Sequence, residues 1–137
     1  MEEKRFPKKG FTLMELIIVI VVIGILVSLA WPTYIKVIEK SRVTEAKNML
    51  SAIRQSQIRY YAQYLRYSTS ANTIDIIIPG VPEKKYFTCT PTYTTGVERI
   101  GRAVRTTLDK PAGIGTYIIY IYENGTFSIS SGYEYLL

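Results

Sequence analysis

The chain has 137 residues and a formal net charge of +6, from 17 Lys and Arg against 11 Asp and Glu. It contains no His and a single Cys, which excludes zinc sites that need His, His-based proton transfer and an intrachain disulfide. This length leaves room for one modest domain beyond a membrane segment.

The first ten residues form a polar, basic leader. Residues 1–10 contain four basic and two acidic side chains and Pro7. They lack the apolar stretch and the small-residue ending of an ordinary secretory signal peptide. If a peptidase cut after Gly10, the apolar segment that follows would remain in the mature protein, with a new and mostly cationic α-amino group on Phe11. The other basic residues are spread along the chain, so nucleic-acid binding is only weakly indicated and no specific site for it is evident.

The next stretch, Phe11–Trp31, predicts a membrane-spanning helix. Its only polar side chains are those of Thr12, Glu15 and Ser28. At about 1.5 Å per residue, a helix of this length just crosses a hydrocarbon core of roughly 30 Å. An unpaired ionised carboxylate costs roughly 2.5–3.5 kcal/mol at the bilayer centre. We therefore expect a positive group to meet Glu15. The alternative is a Glu15 that lies near the interface and reaches the headgroups.

The run that starts at Lys9, Lys-Gly-Phe-Thr-Leu-Met-Glu-Leu-Ile, resembles the processing site of the type IV pilin and type II secretion pseudopilin superfamily. The resemblance is specific over residues 8–34 and general beyond them. It implies that a membrane prepilin peptidase cleaves after Gly10 and methylates the new N-terminal residue, Phe11. It also implies that Glu15 pairs with the amine of a neighbouring subunit. Charge counting on the two sides of the span leaves its orientation open, whereas the resemblance implies a cytoplasmic leader.

The pairing also has a physical rationale that does not depend on the resemblance. In a bundle of such helices, an N-terminal cation on one chain and Glu15 on the next neutralise two charges that neither chain could hold alone. This pairing would fix the axial offset between neighbouring helices.

Two residues weaken the apolar helix. Gly costs about 1 kcal/mol and an interior Pro about 3 kcal/mol relative to Ala, so the stretch between Gly24 and Pro32 should hold its helix weakly. We expect this stretch to loosen in a filament. Pro32 also predicts a kink or an opened turn over residues 28–31.

The helix is predicted to continue beyond Pro32 as an amphipathic helix over residues 34–67. Its apolar and aromatic positions recur every three or four residues, at Ile35, Ile38, Ala46, Met49, Leu50, Ile53, Tyr60, Tyr61 and Tyr64. The turn-rich stretch from Ser68 to Asn72 should end it. The predicted organisation is therefore a leader over 1–10, a membrane and polymerisation helix over 11–33 and a globular head over 34–137.

The head is predicted to be α+β, with a small antiparallel sheet over residues 84–131 packed on the amphipathic helix. After a loop at Pro79–Pro82, the candidate strands are Lys85–Thr90, Ala103–Thr107, Thr116–Tyr122 and Thr126–Ser130. Pro91 predicts that the first strand lies at an edge or ends early. Asn124-Gly125 is a strong hairpin signal. With Thr126 it also matches a glycosylation acceptor, but the turn is the favoured interpretation.

No side-chain pattern in the head points to catalysis, a cofactor or a metal. Gly113-Ile114-Gly115 precedes a strand and not a helix, so we interpret it as a loop. Cys89 lies in a strand pattern and is expected to be buried and inert. The carboxylates lack the tight spacing of a calcium loop. Tyr residues cluster at the end of the helix, and packing between helix and sheet explains them better than electron transfer does.

The predicted function is that of a structural subunit of a type IV pilus filament. The resemblance implies a single-pass inner-membrane protein that leaves the lipid, with the help of the pilus assembly machinery, for a homo-oligomeric filament at the cell surface. The alternatives are a type II secretion pseudopilin and a single-span membrane-anchored binding module.

Overall fold

The computed structural model describes residues 10–76 and 86–137, so the predicted loop at Pro79–Pro82 lies outside the described residues. Helix α1 spans Leu13–Tyr64. It is followed by a short 3-10 helix at Ala71–Thr73, by strands β1 (Phe87–Thr94), β2 (Arg99–Arg105), β3 (Ile118–Tyr122) and β4 (Phe127–Ile129), and by a second 3-10 helix at Glu134–Leu136. The predicted α+β class, one long helix and a small antiparallel sheet, is confirmed.

The chain divides into two compact units, an N-terminal unit that ends at Ile35 and a C-terminal unit over Lys36–Leu137. In the N-terminal unit every described residue from Gly10 to Tyr34 is exposed. By length and composition, α1 is the one helix of the described chain that could cross a membrane. Among the described residues, its apolar half therefore has no side chain packed on it.

The helix is unbroken through Pro32, so the turn over 28–31 is not opened; a kink there, the other form of the prediction, stays a prediction. The ring of Pro32 removes one N–H donor, but it also fixes φ near the helical value, and the ladder on either side persists. In the turn before Pro32, the Ser28 hydroxyl donates to the Ile25 carbonyl at 2.7 Å.

The core of the C-terminal unit lies between α1 and one face of the sheet. The buried helix positions Val43, Ala46, Leu50 and Ile53 face buried strand residues such as Ile100, Ala103, Ile119 and Ile121. Strand β2 lies close to the helix at Gly101, where an added Cβ would lie 3.0 Å from a methyl carbon of Ile121, 3.2 Å from one of Ile53 and 3.3 Å from one of Leu50. A larger residue here would require these core side chains to shift by a few tenths of an ångström, so glycine suits the close packing of strand and helix.

The strands form an antiparallel meander in the order β1-β2-β3-β4. Pro91 lies in edge strand β1, as predicted, but the strand continues past it to Thr94 through an irregularity in the register. Strand β2 begins at Arg99, four residues before the prediction. A bulge between Arg99 and Gly101 buries two successive residues, Ile100 and Gly101. This bulge hides the alternation by which a strand is recognised.

The β3–β4 hairpin forms at the predicted Asn-Gly turn. The Tyr122 N–H donates to the Thr126 carbonyl at 3.0 Å, and the Gly125 N–H donates to the Tyr122 carbonyl at 2.9 Å. Gly125 has φ +89°, a left-handed conformation that favours glycine. Both the N–H and the hydroxyl of Thr126 donate to Asn124 Oδ1. The loop is thus a three-residue hairpin connection with Gly in the left-handed position.

Candidate functional site

The predicted cleavage point lies just before the start of α1. Gly10 and Phe11 are non-helical and exposed, and the helix begins at Leu13. A peptidase needs an extended, accessible segment, and this part of the chain offers one. Glu15 is exposed in the first turn of the helix.

Thr12 caps the N-terminus of α1, a feature that the sequence analysis missed. Its Oγ1 accepts a hydrogen bond from the Glu15 N–H at 3.2 Å. Thr followed three residues later by Glu is the signature of a capping box, and an acidic residue in the first turn also interacts favourably with the helix dipole. Glu15 therefore lies at the third helical position of a capped helix. The spacing of Thr12 and Glu15 was the signal that could have revealed the cap.

The two predicted helix-weakening residues lie on exposed parts of α1. An added Cβ at Gly24 would meet no atom within 4 Å, so this glycine is not required by packing within the chain. The helix is continuous between Gly24 and Pro32. Loosening of this stretch in a filament stays a prediction.

The C-terminal unit contains a buried ionic cluster on Glu39, which the sequence analysis also missed. The Glu39 side chain is fully buried. Its Oε1 accepts hydrogen bonds from Arg105 Nε at 2.6 Å and from the Tyr117 hydroxyl at 2.7 Å. Its Oε2 accepts from Arg105 Nη2 at 3.3 Å and from Arg42 Nη1 at 3.2 Å. Every lone pair of this carboxylate thus faces a donor.

Arg105 joins this cluster to the chain that follows β2. Its Nη1 donates to the carbonyls of Tyr86, Thr106 and Leu108 at 3.0–3.2 Å. Burial alone would raise the pKa of Glu39, but the hydrogen bonds from Arg105 and Tyr117, with the charge of Arg105, outweigh burial and hold the pKa below its ordinary value. Burial and the neighbouring Glu39 raise the pKa of Tyr117. The cluster therefore holds Glu39 in its ionised form, with each carboxylate oxygen accepting two hydrogen bonds.

The other face of the sheet carries a basic and aromatic surface. Thr90, Arg102, Tyr120 and Ser128 occupy opposed positions across the four strands. The guanidinium carbon of Arg99 lies 4.4 Å from the centre of the Tyr120 ring and 5.8 Å from that of Tyr122. We call Arg99, Arg102, Tyr120 and Tyr122 the Arg99 face. In the described part of the chain, no carboxylate lies within ion-pair distance of either arginine.

The tyrosines at the end of α1 pack as predicted. The rings of Tyr61 and Tyr67 stack at 4.8 Å, and Tyr67 contacts Tyr93 of β1 at 5.3 Å. Cys89 is half-buried and not buried as expected. Within residues 10–76 and 86–137, no group of three His, Cys, Asp or Glu side chains is arranged to hold a metal.

Two family models match the chain. Residues 5–31 match the prokaryotic N-terminal methylation motif. Residues 32–103, more than half of the chain, match the family described as "Type IV minor pilin ComP, DNA uptake sequence receptor". The boundary between the two matches falls at Pro32.

Relatives are found among pilins and secretion proteins. The chain is 44% identical over 66 residues to the type IV major pilin protein PilA of Myxococcus xanthus, covering 48% of this chain and 30% of that protein. It is 51% identical over 45 residues to the type IV major alpha-pilin of Moraxella bovis, covering 33% and 28%. It is 28% identical over 85 residues to type II secretion system core protein G of Pseudomonas aeruginosa, covering 60% of each. The chain thus spans less than two thirds of these relatives. The comparison with solved structures gives no significant match.

Proposed function

The chain belongs to the type IV pilins, in the minor pilin family whose model covers residues 32–103, and on this premise we propose that it is a structural subunit of a type IV pilus filament. The observation that carries the proposal is the apolar first part of α1, exposed at every residue from Leu13 to Tyr34, which begins within the N-terminal methylation motif. In water such a surface must be covered by lipid or by other helices. A filament covers it with the helices of sister subunits.

The proposal assigns a role to each part of the chain. Residues 1–10 are the leader that a prepilin peptidase removes, and Phe11 is then the methylated N-terminus. Residues 11–33 span the inner membrane before assembly and form the filament core after it. Residues 34–137 form the globular head at the cell surface. The chain itself performs no catalysis.

Glu15 sets the register between subunits in this proposal. The capped helix places its carboxylate on the first turn, close along the helix axis to the new amine of Phe11 in a cleaved chain. An adjacent subunit that slides until its own amine meets Glu15 neutralises two charges in an apolar surrounding. No other offset between the helices gives this neutralisation, so one stagger is selected.

Cleavage is tested by the N-terminal sequence of membrane-extracted protein. Chains that begin at methylated Phe11 support the proposal, whereas intact Met1 favours a membrane-anchored module. The register is tested with Glu15→Ala and Glu15→Gln, which both keep the backbone N–H that donates to Thr12 Oγ1, while Gln also keeps nearly the shape of Glu. Both variants should insert normally and form no filaments, because both lack the charge. Glu45→Gln, which changes an exposed carboxylate of the same helix, should assemble normally. Normal filaments from Glu15→Gln would contradict the register mechanism.

The alternative is a type II secretion pseudopilin, a protein of the same superfamily, in keeping with the similarity to core protein G. Cleavage and insertion would be the same for both. Shed surface filaments that contain the mature chain as a component distinguish the pilus from a pseudopilus.

A second candidate function is DNA binding, which the description of the matched family names. The Arg99 face favours it, because the guanidinium group of Arg99 lies next to two tyrosine rings and neither Arg99 nor the exposed Arg102 has a carboxylate partner among the described residues. Such groups bind phosphates, and aromatic rings contact bases or sugars. Fluorescence anisotropy with a labelled duplex of about 20 base pairs tests this function. Arg102→Ala should weaken binding and lower the salt slope by about 1, while Lys40→Ala, an exposed charge on α1, should change neither. Equal effects of the two variants would exclude the Arg99 face.

A further inference from the structure

Helix α1 ends on a leucine in an unfavourable backbone conformation. Leu65 has φ +54°, in the left-handed region, and its N–H donates to the Tyr61 carbonyl at 2.8 Å. This is the geometry of a left-handed helix cap, a position that most often holds glycine because a side chain there is strained. A bulky side chain thus occupies a position whose left-handed backbone conformation favours glycine.

Packing within the C-terminal unit does not compensate for this strain. The Leu65 side chain is 78% exposed, although leucine gains most when it is buried. The strain at Leu65 is thus offset by little burial among the described residues. A contact outside the unit would give the side chain the burial that the fold does not provide.

Leu65 belongs to a wider apolar surface. Ile58 and Tyr61 precede it on the same helix face, at the three- and four-residue spacing that makes side chains neighbours. The surface consists of Ile58, Tyr61, Leu65 and Tyr93, which we call the Leu65 patch; all of its members are at least 40% exposed. Tyr64, which precedes Leu65 in the chain and is 57% exposed, packs its ring on Tyr60 beside this patch. Tyr67, which contacts both Tyr61 and Tyr93, joins the helix part of the patch to β1.

We propose that the Leu65 patch is a contact surface for a second copy of this chain in the filament. This inference rests on the proposed filament function. A second copy supplies the apolar chemistry that the patch needs, since the exposed residues from Leu13 to Val37 form the other large apolar surface of the described chain. It also supplies counter-charges. Arg66 at the rim of the patch has no ion-pair partner in the described chain, and the exposed carboxylates of Asp109 and Glu134 have none either.

The strain gives a test in which stability and assembly change in opposite directions. Leu65→Gly and Leu65→Asn remove the apolar side chain and also fit the left-handed backbone. Each should raise the thermal midpoint of the purified mature protein in detergent, by about 3 °C, and lower the yield of filaments at least tenfold. Near-UV circular dichroism, which reports the packing of the tyrosines, follows the melting. Electron microscopy and sedimentation follow the filaments.

Glu98→Gly is the matched control. Glu98 is also exposed with positive φ, +52°, but it lies outside the Leu65 patch. This variant should gain a similar stability and assemble like the wild type. If Leu65→Gly and Leu65→Asn are more stable and still form normal filaments, the inference is wrong. If the wild type itself forms no filaments, the proposed function fails instead.

A photo-crosslinker at position 64 identifies the occupant directly and leaves Leu65 in place. Tyr64→benzoylphenylalanine keeps an aromatic ring on the exposed helical position. Crosslinked peptides that join two copies of the chain in wild-type-like filaments support the inference. Crosslinks that reach only a different protein or lipid overturn it.

Discussion

Replacing Glu39 with Gln should strongly destabilise the C-terminal unit. Glutamine has nearly the same shape, so no cavity forms, but Arg105 is then left as a buried cation without a counter-charge. The amide group of Gln also points N–H donors at a cluster whose other members are donors. Removing one partner of a buried ion pair costs about 3–5 kcal/mol. For a unit of this size, that loss lowers the thermal midpoint by roughly 15 °C.

The cluster offers a graded comparison. Tyr117→Phe removes a single hydrogen bond to the Glu39 carboxylate and keeps both charges, so it should cost less, about 1.5–3 kcal/mol. A double-mutant cycle with Glu39→Gln and Arg105→Gln isolates the interaction between the two side chains, since the double variant contains neither charge. We expect each single variant to be less stable than the double variant or close to it.

Thermal and urea unfolding of the mature protein in detergent, followed by near-UV circular dichroism, measure these changes. Arg42→Ala is the control for the more exposed side of the cluster, since Arg42 makes a single hydrogen bond to Glu39 from a side chain that is 16% exposed. It should cost less than about 1.5 kcal/mol. If Glu39→Gln lowers the free energy of unfolding by less than about 1 kcal/mol, or if the coupling energy is near zero, the reasoning that Glu39 and Arg105 form a buried, strongly interacting ion pair is wrong.

Three further predictions follow from single features of the chain. Because the pKa of Glu39 is lowered in the folded state, its contribution to stability is present above pH 4.5 and is lost as the pH falls below that value. A pH series of melting curves measures this loss as the difference between the wild type and Glu39→Gln, which lacks the carboxylate. Gly115→Ala should cost about 1–3 kcal/mol in the same melting assay, because its Cβ collides with the Tyr133 hydroxyl. Gly24→Ala meets no atom and removes a helix-weakening residue, so it should not destabilise the chain. Amide exchange in assembled filaments should be faster between Gly24 and Pro32 than in the flanking turns, and equal protection would contradict the predicted loosening.

Local patterns made the helix and the β3–β4 hairpin predictable. The apolar spacing beyond Pro32 is a property of neighbouring residues, and so is the Asn-Gly turn, whose Gly125 adopts the left-handed conformation that the turn requires. The helix boundary was less accurate, since α1 ends at Tyr64 and the turn-rich stretch begins only at Ser68. The actual end is set by Leu65, a residue type that gives no stop signal.

The interactions that hold the C-terminal unit together depend on residues far apart in sequence. Glu39 and Arg105 are 66 positions apart, so neither spacing nor composition joins them. The early start of β2 was missed for a related reason. A bulge is recognisable only against the partner strand, and the sequence around Gly101 does not alternate. The features that could be predicted from the sequence were therefore those that depend on neighbouring residues within one helix turn or one hairpin.

The two units of the chain differ in how their apolar and charged side chains are stabilised, and their important residues therefore differ in what they stabilise. The C-terminal unit has its own core and satisfies its buried charges internally, as Glu39 and Arg105 do. The apolar half of α1 buries nothing, and Glu15 has no cation of its own chain within ion-pair distance in the described residues. Charge loss at Glu39 should therefore appear as lost folding and charge loss at Glu15 as lost assembly. Leu65 affects both folding and assembly, because its backbone strain destabilises the folded unit, whereas its proposed contact stabilises the filament only when another copy is present.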